Sequence, residues 1–430
     1  MRFALFVLVN AMLYIRPAEL HPALLGLPVY EVCILACLVA SYPALLGVMS
    51  PKALADRPIV ACAVGMLAAI VLSHLANVEP ARALEQGVDF AKLLLYLYLL
   101  VAVVDSPRRL ESLLGWLAAF ALVITGLAVL HYHEIITVPA LKFVQTDGDG
   151  TGRAEAMIKR LGSTGLFQDP NDMCLMLVMA MMICLYQIIE RRRVYWFAAL
   201  ALFGHALTLT HSRGGFLAML MALVVLMAAR FGKRAAPLGA LVLPVVFILF
   251  AGRQTNLGDS FGGQGTGSTR VQLWADGMQQ FVRHPVFGIG ANRFDEYMDH
   301  VAHNSFIHCY TELGMFGGTL FLGAFYLAFW TLLRLGGKNV PPLAPELERL
   351  RPYLMAIVAG YAAGLMSLSC PYTIPTYTVL GLSAVFIGLA EVDLGVPVTR
   401  WNGPLVRRLL ALSVGFVVLA EMGVFLLKRS

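Results

Sequence analysis

The chain has 430 residues, 59% of them hydrophobic and only 13% charged, where a soluble domain runs to roughly half and a quarter. Polar side chains cannot cover that much apolar surface, so lipid must, and a soluble globular enzyme is excluded. The net charge of +6 comes without a basic tail carrying interleaved aromatics. Nucleic acid is therefore not an expected partner, and the charges are read as topology signals.

Apolar runs long enough for a bilayer core are predicted near 3–15, 29–49, 58–75, 88–104, 112–131, 172–189, 195–210, 214–230, 236–252, 305–333, 353–370, 374–391 and 405–427. The first run, within Met1–Pro17, resembles a signal sequence. No small-residue cleavage site follows it, so it is expected to stay as a first span or an interfacial helix. The run at 305–333 is interrupted by Gly314, Gly317 and Gly318, and is expected to begin as a short surface helix before turning into the membrane. The fold class expected is all-α, a polytopic transmembrane bundle of about 12–13 spans. It forms one membrane domain over 1–430 with two long loops, 132–171 and 253–304. The seven cysteines have neither zinc-knuckle nor redox spacing and read as small buried residues.

Lys and Arg fall in alternate short loops: Lys52/Arg57, Arg108/Arg109, Arg191–Arg193, Arg230/Lys233/Arg234, Arg334/Lys338/Arg349/Arg351 and Arg400/Arg407/Arg408. These loops are assigned to the cytoplasm, which leaves both long loops on the opposite face. Loops of that length in a compact domain are usually functional or disordered.

Four polar clusters fall on that same face. The first, Arg160-Leu-Gly-Ser-Thr-Gly-Leu-Phe-Gln-Asp169-Pro170-Asn171-Asp172, closes the first long loop. A turn and helix cap explain Asp169–Asp172 but not Arg160. The second, Thr210-His211-Ser212-Arg213-Gly-Gly215, presses an arginine against the membrane boundary. That is costly unless the side chain snorkels, is paired or has a function. The third, Gly258–Trp274, is glycine-rich but lacks the Gly-Lys-Ser/Thr ending of a nucleotide loop, so it reads as flexible loop leading to Arg270. The fourth runs His284-Pro-Val-Phe-Gly-Ile-Gly290-Ala-Asn-Arg293-Phe294, then His303-Asn304-Ser305, then Glu312-Leu-Gly314. Its Gly-x-Gly is not a dinucleotide fingerprint, because no strand–helix–strand unit surrounds it. His300, His303 and His308 lack the i, i+4 pairing of a helical zinc site, so no metal and no cofactor are expected.

Arginine forks bind phosphate bidentately and stay charged, so they suit a diphosphate leaving group whose charge grows as a glycosidic bond breaks. A histidine suits removal of a proton from an acceptor hydroxyl, although an interfacial histidine beside a helix start also explains His303. Direct displacement with inversion at the sugar carbon, without a metal, would follow.

On these residues the chain resembles the O-antigen ligase/polymerase superfamily, the group of the WaaL and Wzy proteins. The resemblance covers about 155–320 in order: the Arg160 loop with Phe-Gln-Asp-Pro-Asn, Ser212-Arg213-Gly-Gly, Arg270 with Trp274, Pro285-x-x-Gly-x-Gly-x-x-x-Phe294, His303-Asn304-Ser305, and Glu312-x-Gly314. It implies a multi-pass bacterial inner-membrane protein with a periplasmic active site. The implied donor is an undecaprenyl-diphosphate-linked glycan, and the implied acceptor a glycan or lipid A-core, in contact with membrane lipid. Arg213 and Arg270 would bind the donor diphosphate, and His303 would act as base or position the acceptor. Arg160, Asn304, Glu312 and Arg293 are further candidates for substrate binding. The ligase pattern of histidine, ten residues, then glycine is met by His303 and Gly314. The pattern of arginine, three residues, then leucine is not, since Trp274 stands where leucine would fall. Ligase and polymerase therefore both stay open. A transporter or flippase is the reading of another class. It would call for ionisable groups in mid-span, whereas the charges here gather in loops.

Overall fold

The computed structural model describes residues 1–20, 26–141, 144–147, 157–249, 266–298 and 300–427. It is 78% helical. In chain order the helices are α1 Arg2–Ile15, α2 Pro17–Leu20, α3 Val29–Met49, α4 Pro51–Ala55, α5 Pro58–Ala76, α6 Pro80–Val103, α7 Pro107–Tyr132, α8 Pro170–Ile189 and α9 Trp196–Leu209. They continue as α10 Arg213–Phe231, α11 Ala235–Leu249, α12 Thr266–Arg283, α13 Phe294–Met298, α14 Ser305–Arg334, α15 Pro345–Leu365, α16 Ile374–Leu394 and α17 Gly403–Leu427. The chain is an all-α polytopic helical bundle, as its apolar runs predict.

Among the described residues ten helical segments are long and apolar enough to cross a membrane, against the twelve or thirteen expected. Three local causes account for the difference. Helix α9 has 14 residues, short of the about 20 that a bilayer core needs. Helix α15 carries Glu346, Glu348, Arg349 and Arg351 in its opening turns. Helices α10 and α11 are separated only by a single 3-10 turn, Gly232–Arg234, and count as one apolar segment, Arg213–Val246.

Each of two compact units has its own core. The first comprises Met1–Ala44, Val103–Asn256 and Ala344–Gly364. Helix α8 is its centre, packed by α7, α9 and α10, and 78% of its most apolar window is buried. A helix that is apolar all round belongs inside a bundle. The first long loop contributes an antiparallel hairpin that the sequence reading did not anticipate. Strand β1 (Val144–Asp147) pairs with β2 (Met157–Arg160), Val144 opposite Arg160.

The second unit comprises Leu45–Ala102, Leu257–Leu343 and Leu365–Ser430. Helix α14 is its hub, packed by α5, α12, α16 and α17. In α17 only 17% of the apolar window is buried, which leaves leucines such as Leu419 and Leu426 exposed, as a lipid-facing helix requires. Of the three glycines expected to interrupt α14, only Gly314 does so (φ 62, ψ −161). The described residues of the second long loop are mostly helical, through α12 and α13. Residues 251–265, which hold most of the glycine-rich run, lie outside the described residues.

Candidate functional site

In the second unit the break in α14 is filled by the segment before Arg293. Backbone N–H groups of Ile289 and Gly290 donate to the carbonyls of Thr311 (3.1 Å) and Glu312 (3.0 Å). Those of Met315 and Phe316 donate to Pro285 (2.8 Å) and Val286 (3.2 Å). The groups that a helix break orphans are thereby satisfied. The two backbones touch: a Cβ on Gly288 would lie 2.2 Å from the Glu312 carbonyl carbon, and one on Gly314 2.4 Å from that of Val286. Both glycines also have positive φ, which only glycine adopts without strain. The Pro-x-x-Gly-x-Gly and Glu-x-Gly patterns are thus two halves of one interlock.

Glu312 completes it. Its carboxylate is fully buried and accepts backbone N–H bonds from Asn292 (2.9 Å), Arg293 (2.8 Å) and Phe294 (2.9 Å), and the Tyr372 hydroxyl at 2.8 Å. His308 Nε2 stands 3.0 Å away. A carboxylate over the first N–H groups of α13 favours that helix start. The sequence reading gave Glu312 to substrate. In the structure its oxygens accept bonds from the loop into α13 and from Tyr372.

Arg293 is similarly engaged. Its guanidinium meets Glu79 at 3.0 Å and Glu296 at 3.1 Å and donates to the Ile289 carbonyl at 3.2 Å. Arg82 pairs with Glu296 at 2.7 Å. Burial works to raise the pKa of Glu296, but Arg82 and Arg293 together hold it below the ordinary carboxylate range. Helices α5 and α6 and the short link between them supply more anchors. Asn77 donates to the Gly288 carbonyl at 3.0 Å, Ser73 accepts from Ala291 N–H at 3.3 Å, and Asn292 donates to Gln86. Sequence reasoning missed these residues, because scattered polar positions in and between two apolar runs carry no signal beside the long loops.

Arg270 and His303 are brought into one neighbourhood. The Trp274 indole N–H donates to the Ala302 carbonyl at 2.7 Å, and Arg270 lies one turn earlier on α12, about 6 Å along the axis. His303 follows Ala302, half-buried and in the left-handed region (φ 49). That conformation is uncommon without glycine, and such strain gathers at functional sites. Asn304 is the N-cap of α14, its side-chain oxygen accepting from Phe306 (3.1 Å) and Ile307 (3.2 Å). Expected at substrate, Asn304 spends that oxygen on the helix. The helix start beside His303 is thus capped by Asn304.

In the first unit Arg160 and the Ser212-Arg213-Gly-Gly element meet. Arg160 Nε donates to the Thr210 carbonyl at 2.8 Å and an Nη to Asn171 Oδ1 at 3.0 Å. Ser212 Oγ donates to the same Asn171 oxygen at 2.7 Å while capping α10 at Gly215 N–H, 3.1 Å. Burial lowers the pKa of Arg160, with Asp169 and Cys174 acting the other way, so a cation is held here at some desolvation cost. Arg213 opens α10, half-buried. A positive side chain is unfavourable at a helix N-terminus, and an anion there would relieve it. His211, one residue before the cap, has φ 50, as His303 has before Asn304.

The fold and these clusters define a multi-pass helical membrane protein with arginine-bearing polar sites at its helix starts. Residues 197–322 match the family model described as O-antigen ligase, a match that supports an O-antigen ligase/polymerase-like superfamily. The matched stretch holds Arg213, Arg270, Arg293, His303, Asn304 and Glu312, but not Arg160. That match supports O-antigen-ligase-like glycan transfer in general and implies lipid-linked glycan substrates. No curated protein matches the chain.

Proposed function

We propose that the protein is an inverting, metal-independent glycan transferase of the bacterial inner membrane, working at the periplasmic face on an undecaprenyl-diphosphate-linked donor. The supporting observation is the setting of His303. It is a half-buried imidazole in a strained backbone conformation, tied through Ala302 to the helix that carries Arg270. His303 accepts the proton of the acceptor hydroxyl as its oxygen bonds to the sugar carbon. The bond from that carbon to the diphosphate oxygen breaks, and Arg270 stabilises the departing charge. Arg213 and Arg160, in the first unit, are assigned to anion recognition. Arg293, Asn304 and Glu312 act by holding the loops that present these groups.

The ligase reading, with a glycan or lipid A-core as acceptor, is favoured by the His303-to-Gly314 spacing. The polymerase reading, which joins lipid-linked repeat units, is favoured by Trp274 at the position where ligases carry leucine. Complementation of a deletion strain with wild type, His303→Ala or Arg270→Ala, at equal membrane levels, tests the proposal. Both variants should lose surface glycan. Long chains accumulating on the carrier would then identify a ligase, and single repeat units a polymerase. Normal surface glycan with both variants would overturn the proposal.

A further inference from the structure

We infer that His133 and His205 form a binding site for a divalent transition-metal ion such as Zn2+, in the first unit and apart from the residues assigned to transfer. The inference does not rest on the transferase reading. The two imidazoles come from different elements, His133 from the C-cap of α7 and His205 from within α9. Their Nε2 atoms are 3.2 Å apart. The ring centroids are 5.5 Å apart and the planes only 8° from parallel. Rings with those separations meet edge to edge, nitrogen facing nitrogen, rather than face to face.

Both residues are exposed, so water could satisfy each ring separately. The backbone holds them together instead. The His133 N–H bonds the Val129 carbonyl at 3.1 Å, the ring of Tyr132 packs edge-on against His133 at 5.4 Å, and His205 sits inside a regular helix. Imidazole nitrogen is the commonest metal ligand. Zinc–nitrogen bonds of about 2.0–2.1 Å set two ligand nitrogens about 3.3–3.4 Å apart across a tetrahedral angle, close to the spacing already present. Binding requires both Nε2 lone pairs, so the ring that donates in the pair shifts its proton to Nδ1. Each ring also turns by about 35° so that the lone pairs converge, a motion that the broad χ2 torsion of histidine permits. Among the described residues no group of three His, Cys, Asp or Glu side chains is close enough to hold a metal. Water completes the shell.

The site would clip the end of α7 to α9. That end also holds β2, since the Tyr132 hydroxyl donates to the Lys159 carbonyl at 3.1 Å and Lys159 Nζ donates to the Tyr132 carbonyl at 2.7 Å. The test is titration of ZnCl2 into the full chain, purified in detergent without a histidine tag and stripped with a chelator, by calorimetry. Wild type should bind one more Zn2+ than His133→Gln or His205→Gln. Each variant should weaken that site by more than the roughly 10–100-fold that loss of an outer-shell partner costs. The double variant should lose little further, because one ligand alone does not make the site. Wild-type stoichiometry and affinity in either single variant would overturn the inference. A second measurement needs no variant: Cu2+ bound to wild type should show hyperfine coupling to two equivalent imidazole nitrogens, and coupling to a single nitrogen would equally overturn it.

Discussion

The Trp274 indole donates to the Ala302 carbonyl at 2.7 Å, and this one bond joins the helix carrying Arg270 to the residue before His303. Trp274→Phe keeps the ring and removes the donor, at about 0.5–1.5 kcal/mol in stability. Misplacement by about 1 Å costs a transfer reaction up to about 10²-fold. The expected outcome is near-normal membrane level with roughly tenfold or greater loss of glycan transfer, read by surface glycan and turnover of a lipid-linked donor. Unchanged transfer would show that Trp274 does not position His303.

Glu312→Gln removes a charge that three backbone N–H groups and Tyr372 all address. The amide nitrogen faces donors that it cannot accept from, at a cost of about 2–4 kcal/mol. Thermal unfolding should begin at lower temperature, and limited proteolysis should cut earlier within 288–298. Tyr372→Phe, which removes one donor of the same set, should show a smaller shift in the same direction.

Gly314→Ala places a Cβ 2.4 Å from the Val286 backbone at a φ of 62. Neither backbone can yield cheaply, so the variant should accumulate poorly in membranes. Gly388→Ala, where an added Cβ meets nothing within 4 Å, should accumulate normally.

Acid should loosen the second unit through Glu296. Its pKa is lower in the folded chain than unfolded, so its contribution is fully present above the ordinary carboxylate range and is lost as pH falls through and below that range. The pairs with Arg82 and Arg293 are partly exposed, so screening keeps the effect small. In Glu296→Gln, stability should fall less steeply than in wild type as pH drops below about 4.5. Parallel pH profiles would remove Glu296 from the network.

Ser212→Ala removes both the α10 cap and the bond to Asn171. About 1 kcal/mol of stability should go with the cap. Arg160→Lys keeps the charge but loses the fork that spans Thr210 and Asn171, and it should weaken donor binding more than it lowers stability. Equal donor affinity in Arg160→Lys would remove Arg160 from anion recognition.

The helices were legible because lipid demands long apolar runs, and the glycines of α14 announced its break. The partners inside each site were less legible. Arg160 meets Thr210 across 50 residues, and Arg293 meets Glu79 from a link too short to stand out. Glu312 and Asn304 looked chemical because polar side chains beside a membrane are rare. The bonds they make to helix starts and to a loop involve backbone groups that composition does not reveal. The hairpin of β1 and β2 was not legible because four-residue strands lie at the lower limit of the length at which alternation speaks.

The interlock at Gly314 also has an order in time. A ribosome delivers Pro285 to Gly290 before Thr311 to Phe316, and delivers α5 long before either. The Ile289 and Gly290 N–H groups and the Pro285 and Val286 carbonyls must therefore wait until the later half of their partner emerges. Tyr372, which locks Glu312 from the far side, arrives last. A chain truncated after α14 would hold the loop without its latch. Nascent chains arrested before and after Tyr372 should differ in how readily a protease enters at Arg293, which makes this latch a marker for the moment at which the second unit becomes mature.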